Sequence, residues 1–285
     1  MTQKALPVVD CHFHVFDADV AVASARYRPP YAARLEDWRG FAASIGDAYG
    51  VVVQTSFLGT DNSALLAALG SMPERLRGVA VVDPTVADAE LATLHAAGVR
   101  GIRLNLYGDA DWQRIGTAPW RTLFARIGAL GWHVELHTGN GEGAAVLATL
   151  DTALGQLPVP VVLDHFGRPG AAGIDDAVFD MAGAVQQRRQ LWVKISAPYR
   201  LPAGLDWRAI AEKWVEVAGQ DRLILGSDWP WTNHESSTRA DECRALFSWP
   251  DAPRADHRAT PRGTFADALR WENAAALYGF RIGRR

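Results

Sequence analysis

The chain is poor in cysteine. Only Cys11 and Cys243 occur in 285 residues, too few for a disulfide framework, so a reducing cytoplasm is the expected location. No apolar run approaches the roughly 18 residues that cross a bilayer. The first apolar strand begins within about seven residues of the N-terminus, which leaves no room for an apolar export segment, so a soluble protein is expected. No Gly-x-Gly-x-x-Gly follows any apolar run, which removes the commonest argument for an open nucleotide-binding sheet. Charge of either sign is also in short supply as an excess. The 29 Lys and Arg stand against 32 Asp and Glu, a net −3, so electrostatics gives no case for nucleic acid or an anionic membrane as partner. Nothing resembling a linker, low-complexity segment or charge run divides the chain, and residues 1–285 read as a single domain.

What is present is a repeat of element types. Hydrophobic residues make up 48% of the chain, enough for a sizeable core. Short apolar runs occur at 8–16, 50–56, 77–83, 99–106, 132–137, 159–165, 191–196 and 222–228. Most are separated by helical stretches, at about 35–48, 64–69, 87–97, 119–130, 143–154, 175–189 and 206–218, with a closing helix at about 264–278. Asp61-Asn62 stand where a helix N-cap would, and Gly98 stands at a C-cap position. Eight strands alternating with helices over this length predict a parallel, doubly buried sheet closed as a (β/α)₈ TIM barrel. Such barrels carry their chemistry at the C-terminal ends of the strands.

Those ends are chemically rich. The first strand, Val8 to Phe16, holds His12 and His14 two residues apart. Alternation then points both imidazoles one way and Cys11 and Phe13 the other. The later ends are Ser56, Asp83, Arg103 with Asn105, His137, His165, Ser196 and Asp228. Four of the eight histidines and an aspartate therefore converge on one rim. Imidazoles and a carboxylate so placed can hold a metal ion or polarise a substrate. Asp228 can alternatively be read as an N-cap, and each strand-end arginine as a salt-bridge partner of a barrel carboxylate. The Pro-containing loop at roughly 17–34, with Arg26-Tyr27-Arg28-Pro29-Pro30-Tyr31, either covers the site or is a surface excursion.

Five segments carry a family resemblance: Asp10-Cys11-His12-Phe13-His14, Gly101-Ile102-Arg103-Leu104-Asn105, Asp164-His165-Phe166-Gly167-Arg168-Pro169, Gly226-Ser227-Asp228-Trp229-Pro230 and Asn273-Ala274-Ala275-Ala276-Leu277-Tyr278-Gly279-Phe280. Over nearly its whole length the chain resembles the amidohydrolase superfamily, in the branch of the 2-pyrone-4,6-dicarboxylate lactonases. That resemblance implies a hydrolase opening a small anionic cyclic ester. Asp228 would be the general base toward water, with His12, His14 and His165 polarising the carbonyl. Arg103, Arg168 and Arg200 would grip carboxylates, Tyr199 competing with Arg200 for one position. Ser56, Asn105 and His137 would contact substrate. Members of the superfamily differ in metal use, so either no metal or one zinc ion is expected, the zinc set being His12, His14, His137 and Asp228. The resemblance also implies a further arginine shortly after the fourth strand, but Tyr107-Gly108-Asp109-Ala110 offers none before Arg114. A zinc-dependent decarboxylase and a lactone isomerase are alternative activities of related branches, and a barrel that only binds ligand is a third. Trp229, Trp231 and His234 could wall the pocket, Trp231 most simply as core or lid packing. His95, His133 and His257 receive no role. A homo-oligomer is compatible with the fold, with no stretch marking an interface.

Overall fold

The computed structural model describes residues 7–23, 25–235, 239–252 and 264–282. The first six residues and His257 lie outside it. Eight strands form one parallel sheet in the order β1 to β8: β1 (Pro7–Phe13), β2 (Asp47–Val53), β3 (Leu76–Ala80), β4 (Val99–Asn105), β5 (His133–His137), β6 (Val161–Leu163), β7 (Leu191–Ser196) and β8 (Leu223–Gly226). The eight expected runs are the eight observed strands. Between them lie α1 (Leu35–Ala42), α2 (Ser63–Ser71), α3 (Asp88–Ala97), α4 (Ala118–Ala129), α5 (Gly143–Leu154), α6 (Ala177–Gln186) and α7 (Trp207–Ala218). Helix α8 (Arg239–Ser248) carries Cys243, and a last helical run spans Phe265–Tyr278. Both cysteines are buried thiols.

Two apolar layers follow from the alternation of the strands. A large outer cluster fills the space between strands and helices. A smaller one, including Val9, Cys11, Val51, Val53, Val79, Val162, Trp192 and Ile224, fills the barrel interior, and Tyr278 and Phe280 from the C-terminal run close it below. Gly98 ends α3 with φ +107, as expected. Asn62 precedes α2, but its side chain does not cap the helix. It donates to Val81 O and accepts from Val81 N, tying the helix start to the end of β3, while Asp61 Oδ1 accepts from Ser63 N.

Strict alternation fails in β1. The pairing of β1 with β2 shifts register between Asp10 and Phe13, so an extra residue is accommodated there. Phe13 stacks on Trp38 of α1 outside the barrel, at 4.0 Å between ring centroids. Cys11 lies inside with Val9, so the two do not share a face. His12 and His14 do share one, their rings 4.9 Å apart. The irregularity turns Asp10 outward into a buried junction. Its carboxylate accepts from Trp38 Nε1 (2.9 Å), Ser227 N (2.8 Å), Ser227 Oγ (2.6 Å) and His12 N (3.2 Å).

This junction closes the barrel. β8 meets β1 through Asp228 N donating to His12 O (2.8 Å) and His14 N donating to Trp229 O (2.9 Å). Gly226 permits the approach, since a Cβ there would lie 2.7 Å from His12 Cβ. Replacing Asp10 by Ala strips the acceptor from four buried donors. With each unsatisfied donor worth about 1–3 kcal/mol, the expected loss is about 4 kcal/mol or more, read as a lowered urea midpoint. A loss below about 1 kcal/mol would show that the seam does not depend on this carboxylate.

Candidate active site

The rim side chains meet around one oxygen. Asp228 Oδ1 lies 3.4 Å from His14 Nε2, 3.5 Å from His12 Nε2 and 3.9 Å from His165 Nε2. Its other oxygen, Oδ2, accepts from Tyr199 Oη and Arg200 Nε, each at 2.7 Å. Asp228 and His165 both have left-handed backbones, with φ +56 and +50. That conformation is uncommon for side-chain-bearing residues and clusters at functional sites. Asp228 is not the N-cap of a helix, because a turn closed by Trp231 N to Asp228 O follows it.

The imidazoles are fixed from behind. His14 Nδ1 lies 2.7 Å from Val53 O. A carbonyl only accepts, so this nitrogen carries the proton, and the Nε2 of a neutral His14 has a lone pair facing Asp228 Oδ1. Two acceptors so placed require a proton or a cation between them. His165 Nδ1 is held by Ser196 Oγ at 2.9 Å. His12 Nδ1 faces Lys194 Nζ at 3.2 Å and Asp164 Oδ1 at 3.3 Å.

Below the rim lies a charged layer with no access to solvent. Lys194 Nζ sits 2.5 Å from Glu135 Oε2 and 3.4 Å from Asp164 Oδ1. Arg103 binds Asp164 through Nε at 2.9 Å and Nη2 at 2.8 Å. Burial, with Lys194, pushes His12 down to about 3. Burial likewise holds His137 and His165 well below the usual histidine range, so these three rings are neutral at neutral pH. Burial pushes the Asp228 carboxyl up, but Arg200, His165, His14 and His12 outweigh it and keep it well below the usual carboxylate range. Glu135 goes the other way: burial and Asp164 raise it to about 8 against Lys194 and Arg103.

Several expectations need correction. Arg200 and Tyr199 both line the cavity and both bind Asp228, so neither displaces the other, and Arg200 Nη2 also donates to Thr232 O at 3.1 Å. Arg103 reaches the cavity wall while bound to a barrel carboxylate, the alternative read from the sequence. His137 lies apart from the ion-sized group. Its ring stacks on Tyr107, with centroids 5.9 Å apart, whereas His165 groups with His12 and Asp228, their ligand atoms within 4.8 Å of one another. Trp231 packs on Phe41, while His234 does line the pocket. Arg168 is buried, has no carboxylate within ion-pair distance among the described residues, and leaves Nε without a partner. Burial and Arg200 lower it to about 10, so it remains a cation. Ser56 lines the cavity, and Asn105 lies at its edge with neither amide atom partnered.

Asp164, Glu135 and Lys194 were missed as site residues. Their signal was a charged side chain within an apolar strand, at positions that alternation places with His137 and Ser196. The loop at 17–34 does cover the site: Arg26 and Tyr27 line the cavity. Glu235 anchors that loop by accepting from both Tyr27 Oη and Tyr31 Oη.

The donor set fits one divalent cation. Donors 2.0–2.2 Å from a tetrahedral zinc lie roughly 3.3–3.5 Å apart, close to the spacings of His12 and His14 from Asp228. The unpartnered His12 Nε2 and Asp228 Oδ1 face the same point. A ring nitrogen anchored to a backbone carbonyl, as in His14, is also the support that metal-binding histidines use.

A family model described as amidohydrolase matches residues 9–280. The chain belongs to the amidohydrolase family. A 2-pyrone-4,6-dicarboxylate hydrolase of Comamonas testosteroni is 35% identical over 200 residues, 68% of this chain. A 4-sulfomuconolactone hydrolase of Hydrogenophaga intermedia is 28% identical over 196 residues, 67% of this chain. The matched stretch spans 63% of the length of each of these relatives. A crystal structure of a probable 2-pyrone-4,6-dicarboxylic acid hydrolase from Acinetobacter baumannii, with citric acid bound, superposes with a TM-score of 0.84 at 33% identity. The match covers 96% of this chain and 99% of that one. No helix among the described residues is long and apolar enough to cross a membrane.

The charged layer makes a testable claim about pH. Glu135 titrates near 8 in the folded chain but near 4.5 unfolded, so folding favours its neutral form. That contribution is full below about pH 4.5 and is lost as pH rises through 8. The Glu135→Gln variant, neutral throughout, should therefore gain melting temperature relative to the native chain between pH 5 and 8. A native chain that instead gains over this range would show Glu135 ionised against Lys194.

Proposed function

We propose that the protein hydrolyses a small carboxylated lactone of the 2-pyrone-4,6-dicarboxylate kind. The observation that carries this reading is Asp228. Its Oδ2 is tied to Tyr199 and Arg200, while its unpartnered Oδ1 faces three imidazoles. In the reaction, a water beside Oδ1 gives its proton to Asp228 as its oxygen bonds to the ring carbonyl carbon. His12 and His165 stabilise the oxyanion that develops, and His14, whose Nε2 carries a lone pair when neutral, joins them only through a proton or bound cation shared with Asp228. The carbon–oxygen ring bond then breaks, and the leaving oxygen takes up the proton that Asp228 holds. Arg168, cationic and without a carboxylate partner, receives a substrate carboxylate, with Arg103, Ser56, Asn105 and His137 around the ring. Two of the relatives described above are named for lactone substrates, and a third was solved with a polycarboxylate bound, which supports the same substrate class.

A metal ion, where bound, would be held by His12, His165 and Asp228, whose ligand atoms lie within 4.8 Å of one another, with His14 beside them at 3.4 Å from Asp228 Oδ1. It would add Lewis-acid polarisation of the carbonyl and acidify water. A carboxylate held below its usual range is a weak base, so much of the rate rests on polarising the carbonyl.

The Asp228→Asn variant is expected to fold normally and to lose about 10³-fold or more in kcat on 2-pyrone-4,6-dicarboxylate. Because Asp228 is kept ionised and His12 titrates near 3, native kcat should hold steady from pH 7 to pH 5. An Asn variant with near-native turnover would sink the assignment. Elemental analysis before and after chelation decides the metal. One zinc per chain, lost together with activity, would make the histidines and Asp228 its ligands. Product mass separates the alternatives: carbon dioxide release marks a decarboxylase and an unchanged mass an isomerase.

A further inference from the structure

The reacting groups occupy one corner of a larger space. The cavity over Asp228 measures about 150 Å³. Beside it, over the ends of β3 and β4, lies a chamber of about 730 Å³, within the range of small-ligand sites. The two share Ser56, Arg103 and Arg26 as walls. This chamber is thus next to the reaction centre, where a non-reacting part of a substrate would lie.

Three guanidinium groups line the chamber, and two are committed. Arg103 is bound to Asp164, and Arg114 to Asp109 at 2.5 Å. Arg26 has no carboxylate within ion-pair distance among the described residues. It is seated by other means. Its guanidinium lies over the Tyr107 ring, 5.5 Å from the centroid. Its Nη1 sits 3.0 Å from where a Cβ on residue 108 would be, and residue 108 is a glycine at φ +63. A guanidinium positioned by stacking keeps its N–H donors for an incoming anion. In the lining of the same chamber, both amide atoms of Asn105 are buried without partners, an uncommon condition that a ligand would relieve.

We propose that Arg26 is the specificity-determining residue of an outer anion subsite: it binds the carboxylate of the substrate furthest from the reacting ester, with Asn105 supplying a neutral donor and acceptor. This inference rests on the lactone-hydrolase reading for its reaction, but not for its binding. The ligand class is a compact dicarboxylate, one anion reaching into the chamber while the ring stays at Asp228.

Calorimetric titration of benzene-1,3-dicarboxylate, which cannot be hydrolysed, tests the binding directly, with benzoate as the single-anion control. One charge-assisted hydrogen-bond pair is worth roughly tenfold in affinity or more. Arg26→Ala should weaken dicarboxylate binding by about that factor while changing benzoate binding less than about twofold, and Arg26→Lys should recover part of the loss. In turnover, Arg26→Ala should raise KM about tenfold more for a dicarboxylated lactone than for a monocarboxylated one. Equal losses for both anions, no loss for either, or no dicarboxylate binding to the native protein would overturn the proposal. A native protein that binds the dicarboxylate through Arg26 yet opens no lactone would overturn the hydrolase reading and leave the subsite standing.

Discussion

The fold hangs on a seam between its last strand and its first. β8 is only four residues long, and its pairing to β1 is correspondingly slight. The buried carboxylate of Asp10 makes up the difference by gathering Trp38, both donors of Ser227 and the backbone of His12. Fixing Ser227 also fixes its neighbour. Asp228 follows directly, with its N–H on His12 O and its carboxylate over the histidines. Barrel closure and placement of the base are therefore one event, and the β1 irregularity that turns Asp10 outward serves both.

Above an apolar floor, the interior carries charge before it carries chemistry. Lys194, Glu135, Asp164 and Arg103 are buried together, an arrangement tolerable only because each faces a partner. Burial first, and then this layer, set the protonation of the rim. Lys194 beneath His12, and Arg103 beside His137, oppose any further positive charge. The result is neutral imidazoles, the form that can either hold a metal or donate a single proton.

Most of this architecture was legible in the sequence, because eight buried strands leave eight apolar runs. The rim was legible for the same reason: a polar residue at the end of such a run has one place to go. What escaped depended on departures from regularity or on distance. Simple alternation put Cys11 with Phe13, and only the register shift against β2 separates them. That Arg200 and Tyr199 also bind Asp228 escaped, because nothing local shows that a left-handed turn at residue 228 brings a carboxylate between them. His137 read as a metal ligand by its strand position; its ring stands against both His165 and Tyr107, at 5.4 and 5.9 Å between centroids, outside the group of His12, His165 and Asp228. Arg26 lies in an irregular segment with no period to read, so its place over Tyr107 is visible only in three dimensions.

Glu235 gives the arrangement a further meaning. Through Tyr27 and Tyr31 it anchors the segment that carries Arg26 to the segment that follows Asp228. The reacting side chains come from strand ends and from turns fixed by the seam, while Arg26 is borne on an excursion that donates none of them. Recognition and reaction are thus encoded in separable stretches of the gene. A lineage could revise which anion such a cavity accepts by altering residues 17–34 and leave the side chains around Asp228 intact, a form of modularity that makes one barrel a durable starting point for new specificities.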